Sequence, residues 1–417
     1  MRTRDLQVPE DIFQEIIDYL RVDVPLLCKC ALVSQKFARI CRPHIYHRVE
    51  LNGQRAPAEF RYKALLGALL ETPSLAEHTR QLHIHLGSPY NEFSPASDRR
   101  LPVFLGFFNQ LEQISLTCAI SRLKQSIERP LANLFGLKSL RNITLISFPA
   151  FPAALLNYAV HVTDLVLHSV KLDVDRILCI DPPGSSAEHV PSKKSIMLSI
   201  RECQLETIFV VEELLRGEGI FIKHHNGVET LSLAPKQLHN GLENIEPYID
   251  LLKTIAANQG CSGTATLKNL TFTPAVSDVK YIATLGSALP STLTTFTLDF
   301  SQMRDLRLFG RYAEELRRLF GNLSRSCPQI RKSHIKFHVY AMKLDIPPTW
   351  IPPEVTVLDS LLKSRELFPM FEEFHCSVDL NIQLLAYDRA RLKEVASHYE
   401  AELSRWFPSL NEIVYPF

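Results

Sequence analysis

The stretch HTRQLHIHL at 78–86 decides how the rest of the chain is read. Leu82, Ile84 and Leu86 alternate with polar residues, the period-two pattern of a strand with one buried face. The same x-L-x-x-L-x-L phrase returns as QLEQISLT at 110–117, SLRNITLI at 139–146 and HVTDLVLH at 161–168. It recurs as GVETLSLA at 227–234, TLKNLTFT at 266–273 and TLTTFTLD at 292–299. Weaker copies are KSHIKFHV at 332–339, FEEFHCSV at 371–378 and SLNEIVYP at 409–416. With Leu82, Ile114, Ile143, Leu165, Ile196, Leu231, Leu270 and Phe296 taken as equivalent, the steps are 32, 29, 22, 31, 35, 39 and 26 residues.

Helical stripes lie between several of these phrases. Tyr62, Leu65, Leu66, Leu69 and Leu70 form one, and Phe309, Tyr312, Leu316, Leu319, Phe320 and Leu323 another. Leu392, Val395, Ala396, Tyr399, Leu403 and Trp406 form a third. Strand–helix units at such intervals predict an α/β fold, an irregular solenoid with a curved, mostly parallel sheet. The uneven steps exclude a strict repeat. Loops 87–101, 181–195 and 341–354, rich in Pro, Ser and charge, read as insertions between units.

The first forty residues have a different texture. Ile12, Phe13, Ile16, Ile17 and Leu20 make one apolar helical stripe, with Pro9 in the first turn and Glu10 and Asp11 opposing the positive helix end. Asp23 caps a second helix that starts near Pro25 and carries Leu27, Cys30, Val33 or Ser34, Phe37 and Ile40 or Cys41. Pro43 opens a short third element. Three helices this small bury too little surface to stand comfortably alone, so part of their apolar stripe needs a partner.

Bulk composition narrows the function classes. Lys plus Arg is 46 against 45 for Asp plus Glu, a net +1 that leaves no electrostatic footprint for nucleic acid or an anionic membrane. No run approaches the roughly 18 apolar residues of a membrane span. The opening MRTRDLQVPED has no signal-type apolar region, and the nine cysteines have no framework spacing. Reduced thiols and a cytoplasmic or nuclear location are expected.

Gly numbers only 15, and there is no G-x-G-x-x-G, G-x-x-x-x-G-K-[ST] or G-x-S-x-G. Phosphate cradles and nucleophile elbows need such glycines for close backbone approach. His83 and His85 share a strand face without a third ligand nearby. His224-His225 reads as a loop pair, Cys28-x-Cys30 as buried thiols, and Asp173 with Asp175 as turn chemistry. No catalytic residue, cofactor or metal site is expected.

V-P-E-D-I-x-x-E-I-I-x-Y-L, then P-x-L, then L-V-S-x-x-F and I-Y resembles the F-box, the module that binds the Skp adaptor of Skp–cullin–F-box (SCF) ubiquitin ligases. Val8 stands where that pattern has Leu, and Phe37 where it most often has Trp. LVSQKFARI followed by RPHIYHRV is similar to the F-box proteins that fungi encode in large numbers, in which degenerate leucine-rich repeats follow. The resemblance implies a three-helix F-box over 6–48 and a repeat-like substrate-recognition domain over 49–417.

It also implies an adaptor-binding surface on Val8, Pro9, Ile12, Ile16, Leu20, Pro25, Leu27, Val33 and Phe37. Some of these must pack inside the module, and period alone does not sort them. Phe37 either anchors the partner or braces helix two on helix one, and the family match favours the partner. The function implied is a non-catalytic substrate receptor, reaching cullin through the adaptor and holding a protein target. A non-ligase F-box scaffold, an α/β enzyme with an unrecognised site, and a simple helical cap on the solenoid are the alternatives. Rigid coupling would serve a receptor, so Tyr46–Leu51 is expected to pack on the first repeat.

Overall fold

The structure is a computed structural model. It describes residues 10–51, 58–87, 94–119, 123–175, 194–216, 225–236, 245–258, 267–274, 279–300, 309–340 and 366–381, with residues 360, 364, 397 and 401. Val8, Pro9, the 409–416 phrase, most of the 392–406 stripe and most of the inserted loops lie outside the described residues. The chain forms two compact units, Met1–Val162 with Leu172–Ser186, and Thr163–Lys171 with Ala187–Phe417.

The first unit begins with α1 (Glu10–Tyr19), α2 (Val24–Ala31) and α3 (Gln35–Ile45). Strand β1 (Arg48–Leu51) follows, then α4 (Ala58–Glu71), β2 (Gln81–Gly87), α5 (Leu101–Gly106), β3 (Gln113–Cys118), α6 (Gln125–Phe135) and β4 (Asn142–Ile146). The order β1-β2-β3-β4 is parallel throughout, and Val49, Leu82, Ile114 and Ile143 stand in one row across it. All four are buried. β5 (Phe151–Pro152) pairs separately with β7 (Leu172–Asp173).

A boundary at residue 48 falls inside this unit, where β1 begins. Within Tyr46–Leu51, Tyr46 caps α3 and Arg48–Leu51 joins the sheet, so the stretch forms no linker, with Val49 and Leu51 buried against the core.

The second unit holds β6 (Asp164–His168), β8 (Lys194–Arg201), β9 (His225–Ala234), β10 (Asn269–Phe272), β11 (Thr295–Phe300), β12 (Lys332–Tyr340) and β13 (Glu373–Asn381), adjacent in that order and parallel. Its helices are α7 (Leu205–Leu215), α8 (Glu246–Asn258), α9 (Val279–Ala288) and α10 (Phe309–Ser326). The class is α/β with a mostly parallel sheet, as the alternating phrases predict.

One equivalence needs correcting. Leu165 pairs with Leu198, and Leu198 with Leu231, so Leu198 rather than Ile196 is the matched position. The steps on either side become 198 − 165 = 33 and 231 − 198 = 33. Register shifts on both sides of Ile196 displace the start of β8, which a count from the strand's beginning does not reveal. The row continues through Leu270, Phe296, Ser333 and Phe374. Ser333, fully buried, is the polar interruption that makes KSHIKFHV a weak copy.

Two recurring backbone devices join successive strands. A carbonyl just ahead of one strand accepts two N–H groups from the start of the next: His47 from Arg80 and Gln81, Arg80 from Glu112 and Gln113, Glu112 from Arg141 and Asn142. In the second unit Lys268, Thr294 and Arg331 do the same for the strand starts at 294–295, 331–332 and 372–373. At the other end, the residue just past β4, β6 and β8 is left-handed: Ser147 (φ 57°), Ser169 (φ 54°) and Glu202 (φ 51°). Each costs on the order of 1 kcal/mol, so the turns are imposed by the flanking strands and not by local preference.

Helices α9 and α10 meet at Gly286. A Cβ there would lie 3.1 Å from Leu319 Cδ1, from the Leu319 carbonyl and from Asn322 Cβ. The same approach lets Asn322 Nδ2 donate to the Ala283 carbonyl at 2.8 Å and Ser326 Oγ to the Gly286 carbonyl at 2.6 Å. We expect Gly286→Val to destabilise the second unit by about 1–3 kcal/mol through overpacking. Urea unfolding would check this, and an unchanged midpoint would remove the close contact from the account.

Candidate functional site

The N-terminal helices form a module whose interior is small. Ile17, Leu27, Ile40 and Cys41 are its buried residues, with Phe13, Leu20, Cys30, Ala31, Phe37 and Ile45 packed partly buried against them. Phe13 and Phe37 meet edge to face, ring centroids 5.0 Å apart, and Lys36 Nζ lies 5.4 Å from the Phe13 centroid. His44 Nε2 reaches Asp18 Oδ1 at 3.1 Å, a second tie between α3 and α1.

The helix breaks follow from caps. Asp23 Oδ1 accepts the Leu26 N–H at 3.0 Å and starts α2, as expected. The next break corrects the sequence reading. Ser34, extended at φ −161°, accepts the Phe37 N–H on its side chain and starts α3, so the expected second helix is two. Pro43 does not open an element but sits inside α3. There its missing N–H removes one bond of the helix ladder, a cost that the packing of α3 on α1 and α2 has to offset.

The stripe read on α1 divides into two. Phe13, Ile17 and Leu20 turn inward, while Ile12 and Ile16 are 45% and 50% exposed and Tyr19 is 87% exposed. Residues 12, 16 and 19 are spaced i, i+4, i+7, so they line one face beside the inward one. More apolar side chains are open around the helix junctions: Val22 before α2, Val24 and Leu26 within it, and Leu32 and Val33 after it. Exposed apolar side chains concentrated in this way are a common feature of protein-docking surfaces.

Of the residues expected on the adaptor face, Ile12, Ile16, Pro25 and Val33 are exposed. Leu27 has no exposed surface, and it lies in the module's own core with Leu20 and Phe37 against the same cluster. Phe37 braces α3 on α1 through Phe13. Tyr19, Val22, Val24, Leu26 and Leu32 belong to the exposed set without having been assigned to the adaptor face from the sequence. Five apolar residues and Tyr19 within Ile12–Leu20 cover about 160° of a helix, wider than one buried stripe needs, and that width is the signal.

The other candidates remain separate. His83 and His85 face away from Leu82 and Ile84 on β2, and burial is the main cause lowering both imidazole pKa values, so both favour the neutral form. No group of three or more His, Cys, Asp or Glu suited to a metal occurs among the described residues. Among those residues no helix is long and apolar enough to cross a membrane. His168, Ser169 and Glu202 gather at the exits of β6 and β8, with Glu202 Oε2 3.3 Å from His168 Nε2 and 3.4 Å from Ser169 Oγ. These groups are open to solvent, and the serine contacts the carboxylate and not the imidazole, so this is no nucleophile–base arrangement.

The thiols differ sharply. Cys28 is exposed, which corrects the reading of Cys28-x-Cys30 as a buried pair. Burial pushes the Cys203 and Cys327 thiols up to about 11 each, so both stay protonated at neutral pH. In a brief iodoacetamide treatment of the native protein, we expect Cys28 to be alkylated while Cys203 and Cys327 stay unmodified. Peptide mass mapping gives the result, and early labelling of Cys203 would contradict its enclosure.

No known family model matches the chain, and no curated protein is similar to it in sequence. Its functional reading therefore stands on its own residues and geometry.

Proposed function

We propose that the chain is the substrate-recognition subunit of an SCF-type ubiquitin ligase. In this reading α1–α3 form an F-box that docks on the Skp adaptor. The strand–helix units behind them form an irregular leucine-rich-repeat-like solenoid that holds a protein target. The chain does no bond chemistry itself. It acts by proximity, raising the effective concentration of a target's lysines near a charged conjugating enzyme.

The observation that carries this reading is the uncovered second stripe of α1, Ile12, Ile16 and Tyr19, beside an inward stripe already satisfied by α2 and α3. Covering the open half of each isoleucine is worth about 1 kcal/mol by area. With the apolar junction residues added, such a face can centre a stable interface. The pairing of β1 with β2 supports the receptor reading further, because it ties the module to its unit by a strand instead of a swinging linker.

Affinity purification of the full chain from its native cell, read by mass spectrometry, tests the reading. The Skp adaptor and a cullin are the expected companions. Adaptor without cullin would replace the ligase reading with a scaffold role, and neither of them would overturn it.

A further inference from the structure

The exposed face of α3 has a character opposite to that of α1. Lys36, Arg39 and Arg42 recur every three residues along it, and the helix QKFARICRPHI contains no acid. With Gln35 and Ala38 these cations line an open cleft of about 490 Å³. All three are exposed, whereas Phe37, Ala38, Ile40, Cys41 and His44 are turned inward or partly covered. Lys36 sits in the first turn of α3, where the helix macrodipole disfavours a cation, and its ammonium reaches toward the Phe13 ring at the cleft's α1 side. Ala38, the one small side chain of the group, leaves room for an extended chain to lie between the longer ones.

We propose that this cleft takes an acidic segment of the protein that docks on the N-terminal module, its Asp and Glu carboxylates meeting Lys36, Arg39 and Arg42. The inference deepens the adaptor-binding reading and rests on it for the partner's identity, but the cleft's preference for carboxylates can be measured alone. A peptide fits better than a nucleic acid. The cationic strip is one helix wide on a chain of net charge +1, and no aromatic side chain is exposed among the cations for a base to stack on. The partner recognised has an apolar ridge for Ile12, Ile16 and Tyr19 and an acidic strip for α3, and both requirements narrow its choice.

Fluorescence anisotropy of a fluorescein-labelled oligoglutamate peptide with the full-length chain tests the cleft. Binding that weakens as salt rises is expected, at least tenfold weaker for the Arg39→Glu/Arg42→Glu variant and unchanged for Arg325→Glu, an equal kind of charge reversal on α10. Equal binding by the double variant would overturn the proposal, as would tighter binding of a single-stranded oligonucleotide of matched charge. Adaptor retention is measured beside it. If the wild-type chain brings down no adaptor yet binds oligoglutamate through α3, the cleft stands and the receptor reading falls. If the adaptor is retained equally by the charge-reversed chain, the deepened assignment fails and the receptor reading survives.

Discussion

Replacing Ile12 and Ile16 together by aspartate should strip the Skp adaptor from the purified chain while leaving its fold intact. Both side chains are about half exposed, and neither belongs to the buried cluster of Ile17, Leu27, Ile40 and Cys41, so the free protein loses little by the change. In the complex, two carboxylates would be pressed into an apolar contact with no partner for their charge. That penalty reaches about 3 kcal/mol or more, enough to lower adaptor retention by over ~100-fold. Co-purification with quantified adaptor is the measurement, and unchanged far-ultraviolet circular dichroism is the control. Adaptor retained at the wild-type level by a folded variant would end the assignment of this face.

Leu27→Ala should act in the opposite way, through folding. Leu27 has no exposed surface and is one of four buried side chains at the centre of the module among the described residues. Truncating an enclosed leucine costs about 2–5 kcal/mol, and so small a core has few neighbours to collapse into the cavity. We expect amide hydrogen exchange in α1, α2 and α3 to rise by two or more orders of magnitude, while the strands of the second unit keep their protection. Adaptor binding would then fall as well, but together with the loss of protection. The aspartate pair at 12 and 16 loses binding with protection unchanged. Unaltered exchange across α1–α3 in Leu27→Ala would show that the module does not depend on this core.

What the sequence could reveal follows the strength of each physical constraint. A strand with one buried face must alternate, so HTRQLHIHL, QLEQISLT and SLRNITLI announce β2, β3 and β4 directly. β1 has only RVEL to display and carries no such phrase, and β8 hides its register behind two irregularities. In the N-terminal module the apolar positions of α1 were legible, but their assignment to an inner or an outer stripe was not. Ile12 and Phe13 are equally apolar, and only the placement of α2 and α3 decides between them. Tyr19, Val22 and Leu32 escaped because they sit at helix ends, where the period that would single them out stops. Leu27 misled for the converse reason: its place in a motif that resembles the F-box does not say which way it points. Ser34, lying in an apolar run, hid the helix break that its hydroxyl creates.

The doubly accepting carbonyls at His47, Arg80, Glu112, Lys268, Thr294 and Arg331 give each stack of strands a direction. At these six joints the later strand donates two amides to one carbonyl, so peeling it away bares, besides the ladder shared by both strands, one oxygen that water readily satisfies. Peeling away the earlier strand instead leaves two amides without their acceptor, and bare amides are tolerated less well than bare carbonyls. In the second unit, breathing should therefore start at β13 and travel backward, as a zip opens from its slider.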